Sequence, residues 1–378
     1  MKTTSLTGLV ILVGLGLVQS VAAQNLVVRN GRVLDGNGGV VDGGTIVIRN
    51  GRISAYAEDA STAGFAVVDA RGMTVTPAFT DAHRRVIQGD SDAWMAQAAE
   101  HMRAYLEAGI TTLVTTDEAL EPILALRDRL ESGEIIGPRL LVTGPVPLRD
   151  AGGEPVPEPQ AREAVRALAL EGLDGVAAPL SSTPGGQERA AMAIVRDEAD
   201  QQGLLTVTHI QSVGDAVAAV QGGSGYLTRT PYVGRLEPGT ARDLVEAGRG
   251  NAEYGVVVTS TLGAIALTAP GSPGPANARA LWDAGIIYGF GTATALPPRE
   301  ALRHELSALQ AQFSNEEIFT IVTKNAALAS RRDDALGTVE RGKFADLLML
   351  GGDPLSDPAS LLDIAVVIKT GRVVLDNR

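Results

Sequence analysis

Short apolar runs separated by tight turns characterise both ends of this chain. Leu26–Val28 and Ile46–Ile48 are bounded by three Asn-Gly pairs. Asn-Gly between apolar runs favours a hairpin, because both residues tolerate a positive φ. The same alternation returns near the other end, for example around Val366–Ile368. The sequence therefore predicts one small β-sandwich domain that is assembled from residues 24–75 and 337–378.

The middle of the chain, residues 76–336, follows a different pattern, in which short β-branched runs alternate with stretches rich in Ala, Leu and Glu. Eight runs are strand candidates: Val75–Ala82, Thr111–Thr116, Leu140–Thr143, Gly175–Pro179, Leu205–His209, Gly225–Thr230, Val256–Thr261 and Ile286–Gly291. Eight strand–helix units over about 250 residues are typical of an α/β fold, the (β/α)8 TIM barrel. A doubly wound open sheet is the alternative, but no glycine-rich loop follows the first strand.

The first residues of the chain form a third pattern. Met1-Lys2 precedes an apolar run from Leu6 to Val18, and Val21-Ala22-Ala23 follows. A positive start, a short apolar stretch and small residues before a cleavage point are typical of a secretory signal peptide. We therefore expect residues 1–23 to be a signal peptide and the mature protein to be exported, as a periplasmic or extracellular protein. A buried N-terminal helix and a retained anchor are the alternatives.

Composition and charge narrow the class of partner. A formal net charge of −12 argues against nucleic acid, because phosphate recognition needs clustered Lys and Arg. No later segment is apolar enough to cross a membrane, so no membrane span is expected after signal cleavage. The chain has no Cys, which suits an oxidising compartment, where an unpaired thiol is a liability. The sequence leaves a homo-oligomer open.

Several segments carry a resemblance to a known family. They are Val75–His83, Asn325–Ala327, Leu336–Leu347 and Gly352–Leu355. On these segments the chain resembles the amidohydrolase superfamily, in particular the exported branch related to imidazolonepropionases and Xaa-Pro dipeptidases. The resemblance covers essentially the whole mature chain and implies a TIM barrel with a small flanking β-domain. It does not imply the chemistry, because fold and function separate easily.

Active members of this superfamily, as the resemblance implies, hold one or two divalent metals such as zinc at the carboxyl ends of the barrel strands. The ligands are a His-x-His pair after strand one, a carbamylated Lys on strand four, one His each on strands five and six, and an Asp on strand eight. Imidazole nitrogens and anionic oxygens donate lone pairs to the cation, which lowers the pKa of bound water from about 15.7 to roughly 7.

Two of these six positions are retained in this chain and four are replaced. His83 stands at the first strand-one position and His209 at the strand-five position, so both are interpreted as remnant ligands rather than ordinary hydrogen-bonded histidines. The other positions carry residues without a suitable donor: Arg85, Ala177 (with Ala178 as the alternative), Arg229 and Ala293. Arginine stays protonated in proteins, and alanine has no donor atom at all. No catalytic residue is intact, because Ala293 occupies the place of the Asp.

The losses are large enough to predict an inactive protein. A complete four-ligand site contributes ~10–16 kcal/mol, so one imidazole at each metal position corresponds to roughly millimolar binding or weaker. Without a metal, forming hydroxide at pH 7 costs about 12 kcal/mol. We therefore expect neither a bound metal nor another cofactor. The residues that flank each replaced position are intact, which indicates targeted change, natural or engineered, rather than drift.

Arg85 and Arg229 indicate a binding role in place of catalysis. Two guanidiniums carry the same net charge that two divalent metals keep after neutralisation by one Asp and one carbamate. Bidentate hydrogen bonds from them would hold a carboxylate or phosphate. The sequence thus predicts a small anionic or amide-type ligand in the barrel mouth; in the alternative, both side chains turn toward water. Asp81 and Asp117 could accept hydrogen bonds from Arg85 or from backbone amides.

An active hydrolase is the competing interpretation. Such an enzyme would cleave amide, cyclic amide or Xaa-Pro bonds with a reduced or rebuilt metal site. Replacement ligands at neighbouring strand ends would favour it, but those ends carry weak Thr and Ser ligands, such as Thr206, Thr228 and Ser260. The other two histidines, His101 and His304, have no partner at ligand spacing, and we expect them to be solvated or to cap helices.

Overall fold

A computed structural model describes residues 25–56, 63–116, 118–180 and 187–378 of the protein. The strands are β1 (Leu26–Leu34), β2 (Val40–Arg49), β3 (Arg52–Tyr56), β4 (Ala66–Asp69), β5 (Thr74–Pro77), β6 (Phe79–Arg84), β7 (Ile110–Thr115), β8 (Arg139–Pro145), β9 (Gly175–Pro179), β10 (Leu205–His209), β11 (Tyr226–Thr228), β12 (Val257–Thr259), β13 (Ile287–Gly289), β14 (Leu347–Leu350), β15 (Ile364–Lys369) and β16 (Arg372–Asp376). The helices are α1 (Ser91–Ala96), α2 (Ala98–Glu107), α3 (Leu120–Glu131), α4 (Glu158–Leu170), α5 (Gln187–Gln201), α6 (Val213–Gln221), α7 (Pro238–Ala247), α8 (Leu262–Thr268), α9 (Gly274–Asp283), α10 (Pro298–Gln310), α11 (Asn315–Val322) and α12 (Lys324–Ala329), with a 3₁₀ turn at Pro358–Leu362.

The two ends of the chain form one mixed sheet with the strand order β16-β15-β14-β5-β1-β2-β3, and β4 also pairs with β1. The predicted Asn-Gly hairpin between β2 and β3 is confirmed: Asn50 and Gly51 both have positive φ, and Arg49 pairs with Arg52 across the turn. Apolar side chains from both ends share one core, for example Ile46 of β2 and Met349 of β14. The predicted small β-domain built from both termini is therefore confirmed.

The middle of the chain forms a parallel sheet whose eight strands, among the described residues, run in chain order from β6 to β13. Hydrogen bonds between its two edges close it into a barrel. Ala82 N–H donates to Phe290 C=O at 3.0 Å, and Ala293 N–H donates to His83 C=O at 2.9 Å. The predicted TIM barrel is confirmed, and seven of its strands lie within or next to the runs identified in the sequence.

The first predicted strand, Val75–Ala82, is wrong as a single element. The structure divides it into β5, which pairs with β14 in the terminal sheet, and β6, which begins the barrel at Phe79. Pro77 has no N–H to donate and ends β5, while the N–H of Ala78 donates to Asp346 C=O at 2.9 Å. The chain therefore passes from one sheet to the other within two residues.

Helix positions follow from apolar spacing and capping. On α2 the buried residues Met102, Tyr105 and Leu106 face the barrel, as an amphipathic helix requires. Two helices begin with a capping box, in which a serine and the acidic residue three positions later satisfy each other's backbone N–H: Ser212 before α6 and Ser314 before α11.

Two features of the sequence analysis fall outside the described residues: the signal peptide expected at residues 1–23, and Asp117. Within the described ranges, no helix combines the length and the apolar character that a membrane crossing requires.

Candidate functional site

Two histidines meet at the mouth of the barrel. His83 lies near the end of β6 and His209 at the end of β10, and parallel strands bring these carboxyl ends to one face. The ring centroids are 5.1 Å apart in an edge-on arrangement. His83 is buried, and its Nδ1 lies 3.2 Å from Thr116 Oγ1, whereas His209 is half-buried. The structure therefore brings the two predicted remnant ligands together.

The environment of His83 disfavours its protonated form. Burial is the largest cause, followed by the positive charges of His209 and Arg229, and together they lower the pKa of His83 well below its usual 6.5. His83 is therefore a neutral imidazole at pH 7. Arg229 lines the same cleft as His209.

Arg229 follows β11 at the rim of the same mouth. Its side chain is half-buried, and its backbone is left-handed, with φ of 76°. Across the part of the chain that the structure describes, the guanidinium makes no hydrogen bond or ion pair. It lines a cleft of about 550 Å³ together with His209. A half-buried cation without a bonded partner is costly unless a ligand supplies one.

The cleft is lined by both apolar and polar residues. Leu148, Leu180 and Ile210 line it but are only 1–4% exposed. On the rim, the guanidinium of Arg149 forms an ion pair with the carboxylate of Glu188. Arg149 Nη1 also donates to Gly153 C=O at 2.5 Å. The cleft thus contains two arginines, of which one is already engaged with a carboxylate.

A second carboxylate lines the cleft and is held by the backbone. Asp215 Oδ2 accepts from the N–H of Gln211 at 3.0 Å and from that of Ser212 at 2.7 Å. These bonds start α6 and fix the loop after β10. Asp215 therefore serves the fold, and it adds negative charge to the rim of the cleft.

The two alanines at the predicted ligand positions differ in backbone conformation. Ala177 is buried within β9, opposite Val207 of β10, in an ordinary strand. Ala293 follows β13 with φ of 46°, so it shares the left-handed conformation of Arg229. Among residues other than glycine, Asn, Asp and His adopt this region several times more often than the rest. The backbone at 229 and 293 thus suits the His and Asp that the family resemblance assigns there.

Arg85 does not join Arg229. Its side chain is exposed and is not among the residues that line the cleft. The prediction of a shared arginine pair assumed that residues 83 and 85 face the same side, as alternate strand residues do. However, β6 ends at Arg84, so the alternation no longer holds at Arg85.

A buried polar network ties strand one to strand eight, and the sequence analysis predicted only one part of it, that Asp81 accepts from backbone amides. Asp81 Oδ2 accepts from Thr292 Oγ1 at 2.6 Å, and its Oδ1 accepts from Thr292 N–H at 3.0 Å. The guanidinium of Arg84 donates to Thr292 Oγ1 and Tyr105 Oη, both at 3.0 Å, and to Leu296 C=O at 2.5 Å. Burial raises the pKa of Asp81, and the charge of Arg84 opposes that effect. We name these residues, Asp81, Arg84, Tyr105 and Thr292, the closing network.

Gly291 is required beside this network because of close packing. A Cβ at this position would lie 2.4 Å from Thr259 Cγ2 and 3.0 Å from His83 Cβ. Any side chain here would push strand eight away from strand one. The Gly-Thr pair in front of Ala293 is therefore explained by barrel closure.

Glu305 of α10 is a second buried carboxylate near the mouth that sequence reasoning did not identify. It accepts from the N–H of Leu262 at 2.9 Å and of Gly263 at 2.6 Å, at the start of α8. Burial is the largest cause that raises its pKa, to about 7. A lone Glu in an amphipathic helix carries no signal of this role, since its partners lie over 40 residues away.

The remaining histidines lie away from the mouth pair. His101 stacks on Trp94, with ring centroids 4.6 Å apart. The side chain of His304 is 41% exposed and lies 3.9 Å from Glu300. In the described ranges, the structure forms no group of three or more His, Cys, Asp or Glu side chains placed to hold a metal ion.

The comparison with known families identifies the fold and the class of protein. The amidohydrolase family matches residues 74–374, which include the whole barrel and four of the strands of the terminal sheet. This chain belongs to the amidohydrolase family.

Individual relatives agree with the branch indicated by the sequence. An N-acyl-D-aspartate deacylase of Alcaligenes xylosoxydans xylosoxydans is 30% identical over 50% of this chain and 36% of its own length. An imidazolonepropionase of Thermoanaerobacter pseudethanolicus is 39% identical over 20% of this chain and 19% of its own length. The solved structure of a Xaa-Pro dipeptidase with methionine bound in its active site superimposes with a TM-score of 0.77, at 19% identity, over 93% of this chain and 99% of that one. This chain thus spans about a third or less of these two curated relatives, while the likeness to the dipeptidase shows the fold.

Proposed function

We propose that this protein is a catalytically inactive member of the amidohydrolase superfamily that binds a small anionic ligand in the barrel mouth without a metal. The observation that carries the proposal is the state of Arg229. Arg229 lines the cleft together with His209, and its guanidinium forms no hydrogen bond or ion pair with any described residue, although Glu188 and Asp215 line the same cleft. A bound anion would supply a partner through bidentate hydrogen bonds.

The donor set at the mouth does not fit a divalent metal. His83 and His209 each offer an imidazole nitrogen, but the next position carries a guanidinium, which cannot donate a lone pair and repels a cation. Ala177 and Ala293 offer no donor atom. Two imidazoles without an anionic ligand leave a metal site short of the four ligands that zinc requires.

The backbone conformations support replacement of earlier ligands. Arg229 and Ala293 are both left-handed, a conformation in which His and Asp are far more frequent than Arg or Ala. These conformations support the proposal that side chains at the strand ends have changed while the strand ends themselves have not. The sequence analysis predicted that Arg85 and Arg229 would bind an anion together. The proposal does not need Arg85, because it rests on Arg229 alone.

Elemental analysis of the purified full-length protein, prepared without chelator, tests the proposal. We expect less than ~0.2 equivalents of Zn, Fe, Mn or Co, since transition metals need more donors than this mouth offers. A variant with His83→Gln and His209→Gln serves as the matched control for adventitious metal. We also expect no turnover of N-acyl amino acids, Xaa-Pro dipeptides or cyclic amides. One equivalent that survives dialysis and disappears in the control variant would overturn the proposal.

A further inference from the structure

Asparagine followed by glycine occurs three times in the terminal sheet and its turns, and this pair is open to a spontaneous reaction. The backbone nitrogen of the glycine attacks the side-chain carbonyl carbon of the asparagine, since glycine has no side chain to block the approach. The reaction needs a glycine N–H without a hydrogen bond and a backbone with room to move. The three pairs, Asn30-Gly31, Asn37-Gly38 and Asn50-Gly51, differ in both respects.

The glycines of two of these pairs are buried and fixed by close packing. Gly31 lies within β1, and a Cβ there would lie 2.7 Å from Val75 Cγ2. The C=O of Gly51 accepts from the N–H of Ala345 at 2.9 Å, and a Cβ at Gly51 would lie 2.8 Å from Thr370 Cγ2. Attack by either glycine nitrogen therefore requires the sheet to open first.

The third pair lies in the loop between β1 and β2. Asn37 and Gly38 are both exposed, and a Cβ at Gly38 would meet no atom within 4 Å. Asp35 Oδ1 accepts from the N–H of Asn37 at 2.7 Å and from that of Gly39 at 2.9 Å. The N–H of Gly38, between them, donates to no group in the described ranges. The nitrogen that the reaction needs is thus available, and the space around it is open.

The side-chain amide of Asn37 connects this loop to the other end of the chain. Its Nδ2 donates to Glu340 Oε1 at 2.6 Å. The hydrogen bond from Thr338 is the largest cause that lowers the pKa of Glu340, and the one from Asn37 adds to it, so Glu340 is ionised at pH 7. Lys343 Nζ lies 3.5 Å from the same oxygen. A carboxylate at residue 37 would remove the donated hydrogen bond and place two carboxylates beside this one cation.

We propose that Asn37 is a site of spontaneous deamidation, which releases the loop 35–39 from Glu340. The nitrogen of Gly38 bonds to Asn37 Cγ and the Cγ–Nδ2 bond breaks, so ammonia leaves with the proton of the Gly38 N–H and a five-membered succinimide remains. Water then opens the ring at one of its two carbonyl carbons and leaves aspartate or isoaspartate at position 37. The proposal is independent of the proposed function, because Asn37 does not line the cleft of Arg229.

Peptide mapping by mass spectrometry tests the proposal on the full-length protein after incubation at mildly alkaline pH, where the glycine amide loses its proton more readily. We expect aspartate and isoaspartate to form at Asn37 at least ~10-fold faster than at Asn30 or Asn50, because those pairs react only after the sheet opens. In urea the three rates should converge, since the reacting pair is the same. Equal rates in the folded protein, or an intact Asn37 while all three react in urea, would overturn the proposal.

A substitution at the reacting residue provides the matched control. Asn37→Gln keeps an amide but must close a larger ring, so ammonia release from position 37 should fall at least ~10-fold while Asn30 and Asn50 react at their wild-type rates. Ammonia release that stays at the wild-type rate in this variant would place the reaction elsewhere and contradict the proposal.

The release of the loop is tested with a variant that copies one product. Asn37→Asp should lower the Tm, because Glu340 loses a donor and gains a carboxylate beside it. In a Glu340→Gln background the same substitution should lower the Tm less, since the opposing charge is gone and the glutamine amide can donate to the new carboxylate. Equal decreases in both backgrounds would show that the contact with Glu340 is not what deamidation breaks.

Discussion

Two regions lie at the same end of the barrel: the junction of strands one and eight, and the mouth between strands four and six. They differ in how far their polar side chains are hydrogen-bonded. At the junction, Asp81, Arg84 and Thr292 are buried and bonded to one another. At the mouth, Ala177 brings no polar atom and Arg229 has no bonded partner among the described residues. The polar side chains of the junction are thus bonded to protein groups, whereas the mouth is a cavity with an unbonded arginine among the described residues.

This difference explains which family motifs persist. Thr292 is retained because it holds Asp81 and Arg84, and Gly291 because a Cβ would meet Thr259 and His83. Ala293, the next residue, contributes only a backbone N–H to His83 C=O. Barrel closure therefore accounts for Gly291 and Thr292, whereas the fold makes no use of the side chain of Ala293.

Removal of Asp81 should have the largest effect on stability. Asp81→Ala deprives Thr292 of its acceptor and removes the negative charge that interacts with the buried Arg84. We expect a loss of about 3–5 kcal/mol in the free energy of unfolding. Asp81→Asn should lose less, because one oxygen remains. Urea unfolding measures both, with Arg85→Ala as the exposed control. A loss below ~1 kcal/mol for Asp81→Ala would mean that the network does not close the barrel.

Glu305 should make the stability of the fold depend measurably on pH. Its folded pKa of about 7 lies above the ordinary 4.5, so its contribution to stability is fully present below pH ~4.5 and is lost as the pH rises through about 7. The raised pKa corresponds to roughly 3 kcal/mol. Between pH 5 and 8 the wild type should therefore lose more stability than Glu305→Gln. Parallel stability profiles for the two proteins would contradict this role.

The smallest expected effect on stability is a difference in sign between glycine substitutions at Ala293 and Ala177. Ala293 is left-handed, which costs an L-residue ~1–2 kcal/mol, so Ala293→Gly should stabilise the fold by about 0.5–1 kcal/mol after the entropy of glycine is included. Ala177 is in a strand, so Ala177→Gly should destabilise it by a similar amount. Thermal unfolding of the pair measures the difference in sign. The same sign in both variants would show that backbone strain at Ala293 is absent.

Periodic patterns were sufficient to predict the barrel and the terminal sheet, because every strand repeats the same apolar signal. They failed at Val75–Ala82, where Pro77 ends one sheet and Phe79 begins another without a break in the apolar run. The site was predicted in part. His83 and His209 follow from motif positions, whereas the direction of Arg85 depends on where β6 ends.

The closing network and Glu305 could not be predicted for a different reason. The partners of Arg84 and Glu305 are remote in sequence: Thr292 lies 208 residues from Arg84, and Leu262 lies 43 residues from Glu305. The spacing of residues along the sequence does not indicate such a contact. Only the closure of the barrel, which brings strand eight beside strand one, places these groups together.

The most direct test of the account is to restore the four replaced positions together, with Arg85→His, Ala177→Lys, Arg229→His and Ala293→Asp. If the framework is intact and only the mouth has changed, this variant should fold with wild-type cooperativity and bind one or two equivalents of zinc. Single reversions should bind little, since one added ligand still leaves each metal short of partners. Metal stoichiometry after dialysis is the measurement. A quadruple variant that folds yet stays metal-free would contradict the claim that these four side chains alone separate this mouth from a metal site.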